Sequence, residues 1–211
     1  SGNIEYGSLR RSLGAVEDEV GSTAGATLHG NYVNGTLFPQ VDVSLSHGFL
    51  LPINHSSLWF RGSAGSTLHG NRSNAFAQFF FGGFGNNWVD YRDVKQFRDL
   101  ESFPGLGIDD AGGSNFGKAQ MEWVLPPVRF REVGIPSFYL QWAGLSLFTT
   151  GLITDMDQAS LRRNLVSAGA QLDFRLVTLS HLESTMSFGV AVAGESGVPL
   201  HSVGMFSFKI M

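Results

Sequence analysis

The chain has 211 residues, a formal net charge of −4 and no cysteine, so it is long enough for one large domain but excludes disulfides and thiolate metal sites. No basic run exceeds Arg10-Arg11 or Arg162-Arg163, which argues against nucleic acid as a partner, because phosphate binding needs clustered cations. Charged residues make up 15% of the chain, below the ~25% of ordinary soluble domains, and no apolar stretch reaches the ~18 residues of a spanning helix.

Taken in chain order, the dominant signal is period two. Val41, Val43, Leu45, His47, Phe49 and Leu51 interleave with Asp42, Ser44, Ser46 and Gly48, and Met186, Phe188, Val190 and Val192 interleave with Ser187, Gly189, Ala191 and Ala193. Alternation puts one residue set on each face of a strand. It predicts strands at 6–17, 22–33, 38–52, 55–69, 74–85, 117–126, 136–149, 164–178, 183–194 and 200–210. Asn34-Gly35, Pro52-Ile53-Asn54, Gly70-Asn71-Arg72, Gly134-Ile135-Pro136 and Gly194-Glu195-Ser196-Gly197 mark the turns between them. One connection is long. Residues 86–116 hold Asp90, Arg92, Asp93, Lys95, Arg98, Asp99, Glu101, Asp109 and Asp110 beside Phe97, Leu100, Phe103, Pro104 and Leu106. A loop of that length is either a solvated extracellular loop or one tucked into the lumen of a barrel, and the lumen is the expectation because its aromatic residues need burial.

A repeat links Thr23–Asn31 to Ser63–Asn71, forty positions on, and places His29 and His69 near one rim. Two histidines with no third ligand nearby do not make a metal site. The serine–histidine dipeptides Ser46-His47, His55-Ser56, Ser180-His181 and His201-Ser202 put their two side chains on opposite strand faces, so none is a dyad by itself. Gly82-Gly83-Phe84-Gly85 and Gly105-Leu106-Gly107 lack the lysine-bearing helix of a phosphate loop. No catalytic, metal-binding or cofactor-binding residue is assigned.

A soluble barrel would cover its outside with charge, and this chain has too little. A membrane barrel reverses the arrangement, with aliphatic and aromatic residues outside and Ser, Gly, Gln and Asn inside. Trp59, Phe60, Trp88, Trp123, Phe138, Tyr139 and Trp142 would then form an interfacial girdle. The start Ser1-Gly2-Asn3 is not a secretory leader, so the chain is read as mature or excised sequence.

The stretch from Phe80 to Pro126 carries a family resemblance. Phe81-Gly82-Gly83-Phe84-Gly85 precedes the charged loop; Gly112-Gly113-Ser114-Asn115-Phe116 follows it and leads into Lys118-Ala119-Gln120-Met121-Glu122-Trp123-Val124-Leu125-Pro126. This resembles the bacterial surface-antigen family, the barrels of outer-membrane assembly factors and two-partner secretion proteins. Ala168–Leu176 and the last two strands are similar to its C-terminal portion. The resemblance implies an inward loop whose arginine pairs with an acidic residue of the wall, here Arg98 with Glu122. Phe103, Pro104, Gly105, Gly112, Gly113 and Asn115 would form the loop and its base, and Phe206, Phe208 and Ile210 the terminal strand read by insertion machinery. Two departures stand out: Phe97-Arg98-Asp99 replaces the family's Val-Arg-Gly-aromatic tip, and Met211 replaces its terminal aromatic residue.

The expectation is an all-β, antiparallel up-and-down transmembrane β-barrel of about ten strands, or the C-terminal part of a larger barrel, formed by residues 1–211 with one lumen-directed loop at 86–116. It would lie in the bacterial outer membrane within a protein insertion or secretion apparatus. A passive anchor or pore is the alternative, and a soluble ligand-binding barrel a third reading. Expected partners are outer-membrane lipid, unfolded outer-membrane or secreted proteins, and further strands from the same polypeptide or from other copies.

Overall fold

A computed structural model describes residues 1–69, 74–85, 94–135, 137–178 and 182–210. Among them, ten strands form one antiparallel sheet. They are β1 (Gly2–Arg10), β2 (Val20–Val33), β3 (Thr36–Leu50), β4 (Ser57–Thr67), β7 (Asn115–Val124), β8 (Val128–Ile135), β9 (Phe138–Thr154), β10 (Arg163–Thr178), β11 (Leu182–Glu195) and β12 (His201–Ile210). Two short strands, β5 (Phe79–Phe81) and β6 (Ala111–Gly113), pair apart from it.

Apart from β8, each wall strand pairs with the next in sequence, so the topology is up-and-down. β7 and β8 are two halves of one track. β7 lies along Ser146–Thr154 of β9 and β8 along Phe138–Ala143. Pro126-Pro127 interrupts them, since proline offers no ladder donor. Residues 128–135, expected to be a connection, are therefore wall.

β1 and β12 end the sheet, and their outer edges are not paired with each other. Closure into a barrel, expected from the sequence, is not detected among the described residues. The path β1-β2-β3-β4-β7-β9-β10-β11-β12 has nine places, so its first and last strands run in the same direction. Closing one on the other would require a parallel seam in an otherwise antiparallel sheet, a slightly weaker pairing.

Residues 74–85 were expected to be a wall strand and are not. Asn74 caps a short 3-10 turn at Ala75–Ala77, accepting a hydrogen bond from the Phe76 N–H, and β5 follows. The described residues 74–85 therefore belong to the inward segment rather than to the wall, together with 94–113. The segment lies on one face of the sheet as a plug. Phe79, Phe81, Phe103, Leu106 and Ala111 of the plug pack against Phe116, Leu152, Leu165 and Ala193 of the wall. Phe84 and Phe97 pack against Phe148 and Ala191.

Burial follows the alternation in an inverted sense. On the plug face, Gln40, Asp42, Lys118, Gln120, Glu122, Thr150, Ser167, Gln171 and Asp173 are buried. On the other face, Val43, Leu45, Phe60, Met121, Trp123, Ile153, Val166, Val190 and Phe206 are exposed. Trp59 departs from the expected girdle: it points to the plug face at 4% exposure, whereas Trp123 is 38% exposed on the outer face. Trp88 and His181 lie outside the described residues.

Candidate functional site: the plug and its anchors

The plug is irregular backbone, and buried backbone needs hydrogen-bond partners. Wall side chains supply them. Gln120 Nε2 donates to the Phe97 carbonyl at 3.0 Å and Ser167 Oγ to the Pro104 carbonyl at 2.5 Å. Asn31 Nδ2 donates to the Phe76 carbonyl at 3.1 Å, Thr67 Oγ1 to that of Ala77 at 2.6 Å, and Gln171 Nε2 to that of Val94 at 3.2 Å. Lys118 does most. Its Nζ donates to the carbonyls of Asp99, Leu100 and Ser102 at 2.7, 2.9 and 2.6 Å, gathering one turn of the plug around a single ammonium. These polar residues sit in the plug-facing phase of their strands, so period two places them.

At the tip, two consecutive plug residues dock on two directly paired wall residues. Glu122 of β7 and Phe148 of β9 are cross-strand partners. The Phe97 ring stacks on Phe148 with centroids 4.3 Å apart. The Arg98 guanidinium forks onto Glu122, with Nη2 at 2.6 Å from Oε1 and Nε at 2.8 Å from Oε2. The two residues that the resemblance named, Arg98 and Glu122, are thus brought together as a bidentate pair.

Glu122 serves more than one cation. Arg61 Nη1 of β4 lies 2.6 Å from Oε2, and Lys95 Nζ 3.6 Å from Oε1. Arg98 also reaches Glu17, in the connection between β1 and β2, at 2.9 Å, and Lys95 pairs with the same carboxylate. Three cations and two carboxylates meet inside the sheet. The 6–17 strand of the sequence reading hid Glu17: β1 stops at Arg10, and Glu17, in the connection that follows, turns inward. Arg61 and Lys95 also went unassigned, although Arg61 sits in the plug-facing phase with Trp59 and Ser63.

The remaining expected loop residues separate by role. Phe103 is fully buried, and Pro104 forms a bridge with Leu106. Gly105 has φ of +103°, and a Cβ there would fall 2.6 Å from the Ala193 backbone nitrogen, so only glycine fits. Gly112 and Gly113 lie in β6, and a Cβ on Gly113 would meet Thr154 at 2.7 Å. Asn115 opens β7: its Nδ2 donates to Asp157 Oδ1 at 2.6 Å, and its Oδ1 accepts from the Met156 N–H at 2.8 Å. That ties the return of the plug to the β9–β10 turn. Phe206, Phe208 and Ile210 stand exposed on the outer face of edge strand β12.

The histidines are dispersed. His29 packs edge-on against Phe79 and lies 4.0 Å from Asp42. Ser22 Oγ and His47 Nδ1 form a cross-strand hydrogen bond of 2.6 Å, beside Phe49. Among the described residues, no three His, Cys, Asp or Glu side chains are grouped to hold a metal.

No protein-family model, no curated protein and no solved structure matches the chain.

Proposed function

We propose that this chain is membrane-embedded wall: a plugged sheet of a transmembrane barrel in the bacterial outer membrane, working within a protein insertion or secretion apparatus. One observation carries the membrane reading. From β3 to β11 the plug face buries Gln, Lys, Glu, Ser, Thr and Asp, while the opposite face exposes Val, Leu, Ile, Phe and Met. A contiguous exposed apolar surface of that extent is foreign to soluble monomers and is what lipid covers. The wall strands other than the 8-residue β8 have 9 to 17 residues, which matches the ~9–11 needed to cross.

The apparatus reading rests on the resemblance to the surface-antigen and assembly-factor barrels. What supports it is the inward segment between β4 and β7, its return through Gly112-Gly113-Ser114-Asn115, and the pairing of Arg98 with Glu122. The unpaired edges of β1 and β12 leave room for further strands from the same polypeptide or from a partner. Antiparallel completion takes an odd number of them.

A passive anchor or pore is the second reading, and the density of anchors on the plug favours it, since a segment tied at Phe97, Arg98 and Lys118 is held in place. A soluble ligand carrier would fold without detergent, which the exposed outer face opposes. The test is refolding into detergent micelles, followed by gel mobility with and without boiling. A compact, boiling-sensitive band supports membrane wall; folding in plain buffer overturns it. Binding of unfolded barrel proteins to the refolded chain then separates insertion apparatus, which binds them, from passive barrel, which does not.

A further inference from the structure

Edge strand β1 is exposed along its whole length, and β2 is its one strand partner among the described residues. The residues that join the two, 11–19, nevertheless form a tightly bonded unit. Glu19 is buried; its Oε2 accepts from the Ser12 N–H at 3.2 Å and also meets the Ser12 hydroxyl. Its Oε1 lies 2.9 Å from His55 Nδ1. His55 sits in the β3–β4 turn with φ of +59°, an uncommon conformation for a residue with a side chain. The connection is therefore pinned to the wall at one point. At a second point it crosses onto the plug face, where Glu17 meets Arg98 and Lys95.

We propose that residues 11–19 form a strap that couples the free edge strand β1 to the plug, with Glu17 as the coupling residue. The proposal rests on reading the inward segment as a plug; it does not depend on the membrane. The Arg98 guanidinium is shared between a carboxylate fixed in the wall, Glu122, and one carried by the strap, Glu17. If the plug withdraws, Glu17 loses both cations at once. If the strap withdraws, Arg61, Lys95 and Arg98 are left to Glu122 alone. Each departure makes the other easier, and such coupling is reciprocal by linkage. A plug displaced by a passenger would thereby loosen the sheet edge at which strands are added, and a strand pulling on β1 would loosen the plug.

Hydrogen exchange by mass spectrometry on the whole refolded chain tests this, with Glu17→Gln, Arg98→Met and the double variant. Arg98→Met is expected to raise exchange in residues 2–19 about tenfold, and Glu17→Gln to raise it by a similar factor in residues 94–99. The double variant should exceed neither single change by much, because both remove the same contact. Unchanged exchange in β1 and the strap beside a loosened plug would overturn the coupling while leaving the plug reading intact. If neither variant loosens residues 94–99, the plug reading fails and the coupling with it. Should Arg98→Met not fold, Glu17→Gln alone decides: a plug that keeps wild-type exchange overturns the proposal, and a loosened plug supports it.

Discussion

Replacing Glu122 by leucine should cost more than removing the arginine that forks onto it. Glu122 is 0% exposed and holds Arg98 through two hydrogen bonds of 2.6 and 2.8 Å, Arg61 through one of 2.6 Å, and Lys95 at 3.6 Å. Glu122→Leu takes the carboxylate from all three and leaves Arg98 with Glu17. Stripping a buried charge of its partner costs ~3–5 kcal/mol. Arg98→Met is milder, because Glu122 keeps Arg61 and Lys95 while Glu17 keeps Lys95. Its cost is that of lost charge-assisted hydrogen bonds, ~1.5–3 kcal/mol. The double variant should fall short of the sum, since both changes remove the Arg98–Glu122 contact; close partners couple by ~0.5–3 kcal/mol. Denaturant titration of the chain refolded in micelles, read as the fraction keeping its compact gel mobility, measures all three. Arg98→Met as damaging as Glu122→Leu, or strict additivity, would refute a shared carboxylate at the centre of the plug.

Three further outcomes follow from the same geometry. Gly105→Ala forces a Cβ to within 2.6 Å of the Ala193 backbone at φ of +103°, so the plug tip should lift and limited proteolysis of the plug should speed up; backbone strain alone is worth ~1–3 kcal/mol. Lys118→Met removes a donor from three carbonyls, of which that of Asp99 keeps the Ser102 hydroxyl; at ~1–3 kcal/mol for each left unsatisfied, it should raise exchange around Asp99–Ser102 ahead of the rest of the plug. Burial alone would raise the carboxyl pKa of Glu17, but Arg98 and Lys95 outweigh it and hold the group below the usual range. The stability it adds is therefore complete above the ordinary carboxylate range and lost as pH falls through the depressed value. The difference in plug exchange between wild type and Glu17→Gln should stay constant near neutrality and close in acid.

Strand alternation is a local property, and the elements that obey it were legible. β2, β3 and β9 to β12 lie within a few residues of their expected bounds, except that β9 runs on to Thr154. Phe79-Phe80-Phe81 misled because its apolar run suits a wall strand equally well; only the packing of Phe79 and Phe81 against Phe116 puts it in the plug. Val128–Ile135 was missed because Pro126-Pro127 reads as an end and Gly134-Ile135-Pro136 as a turn, whereas the strand resumes beyond the prolines along the same edge of β9. Glu122 was singled out by the resemblance, and its phase, shared with Lys118 and Gln120, agrees with its inward position. Glu17 could not be, since no periodic signal tells a residue in a connection that it will turn inward. Trp59 was placed outside by its residue type, although Arg61 and Ser63 in the same phase pointed inward.

The central claim is that the apolar outer face meets lipid and the polar face meets the plug. Two single-tryptophan variants test it directly, one keeping Trp123 and one keeping Trp59, with the other tryptophans changed to phenylalanine. Each is refolded into bilayers whose acyl chains carry bromine near the headgroups. Trp123, exposed on the outer face, should be strongly quenched, and Trp59, buried against the plug side, should not. Equal quenching of the two, or an unquenched Trp123 in a folded chain, would contradict the account.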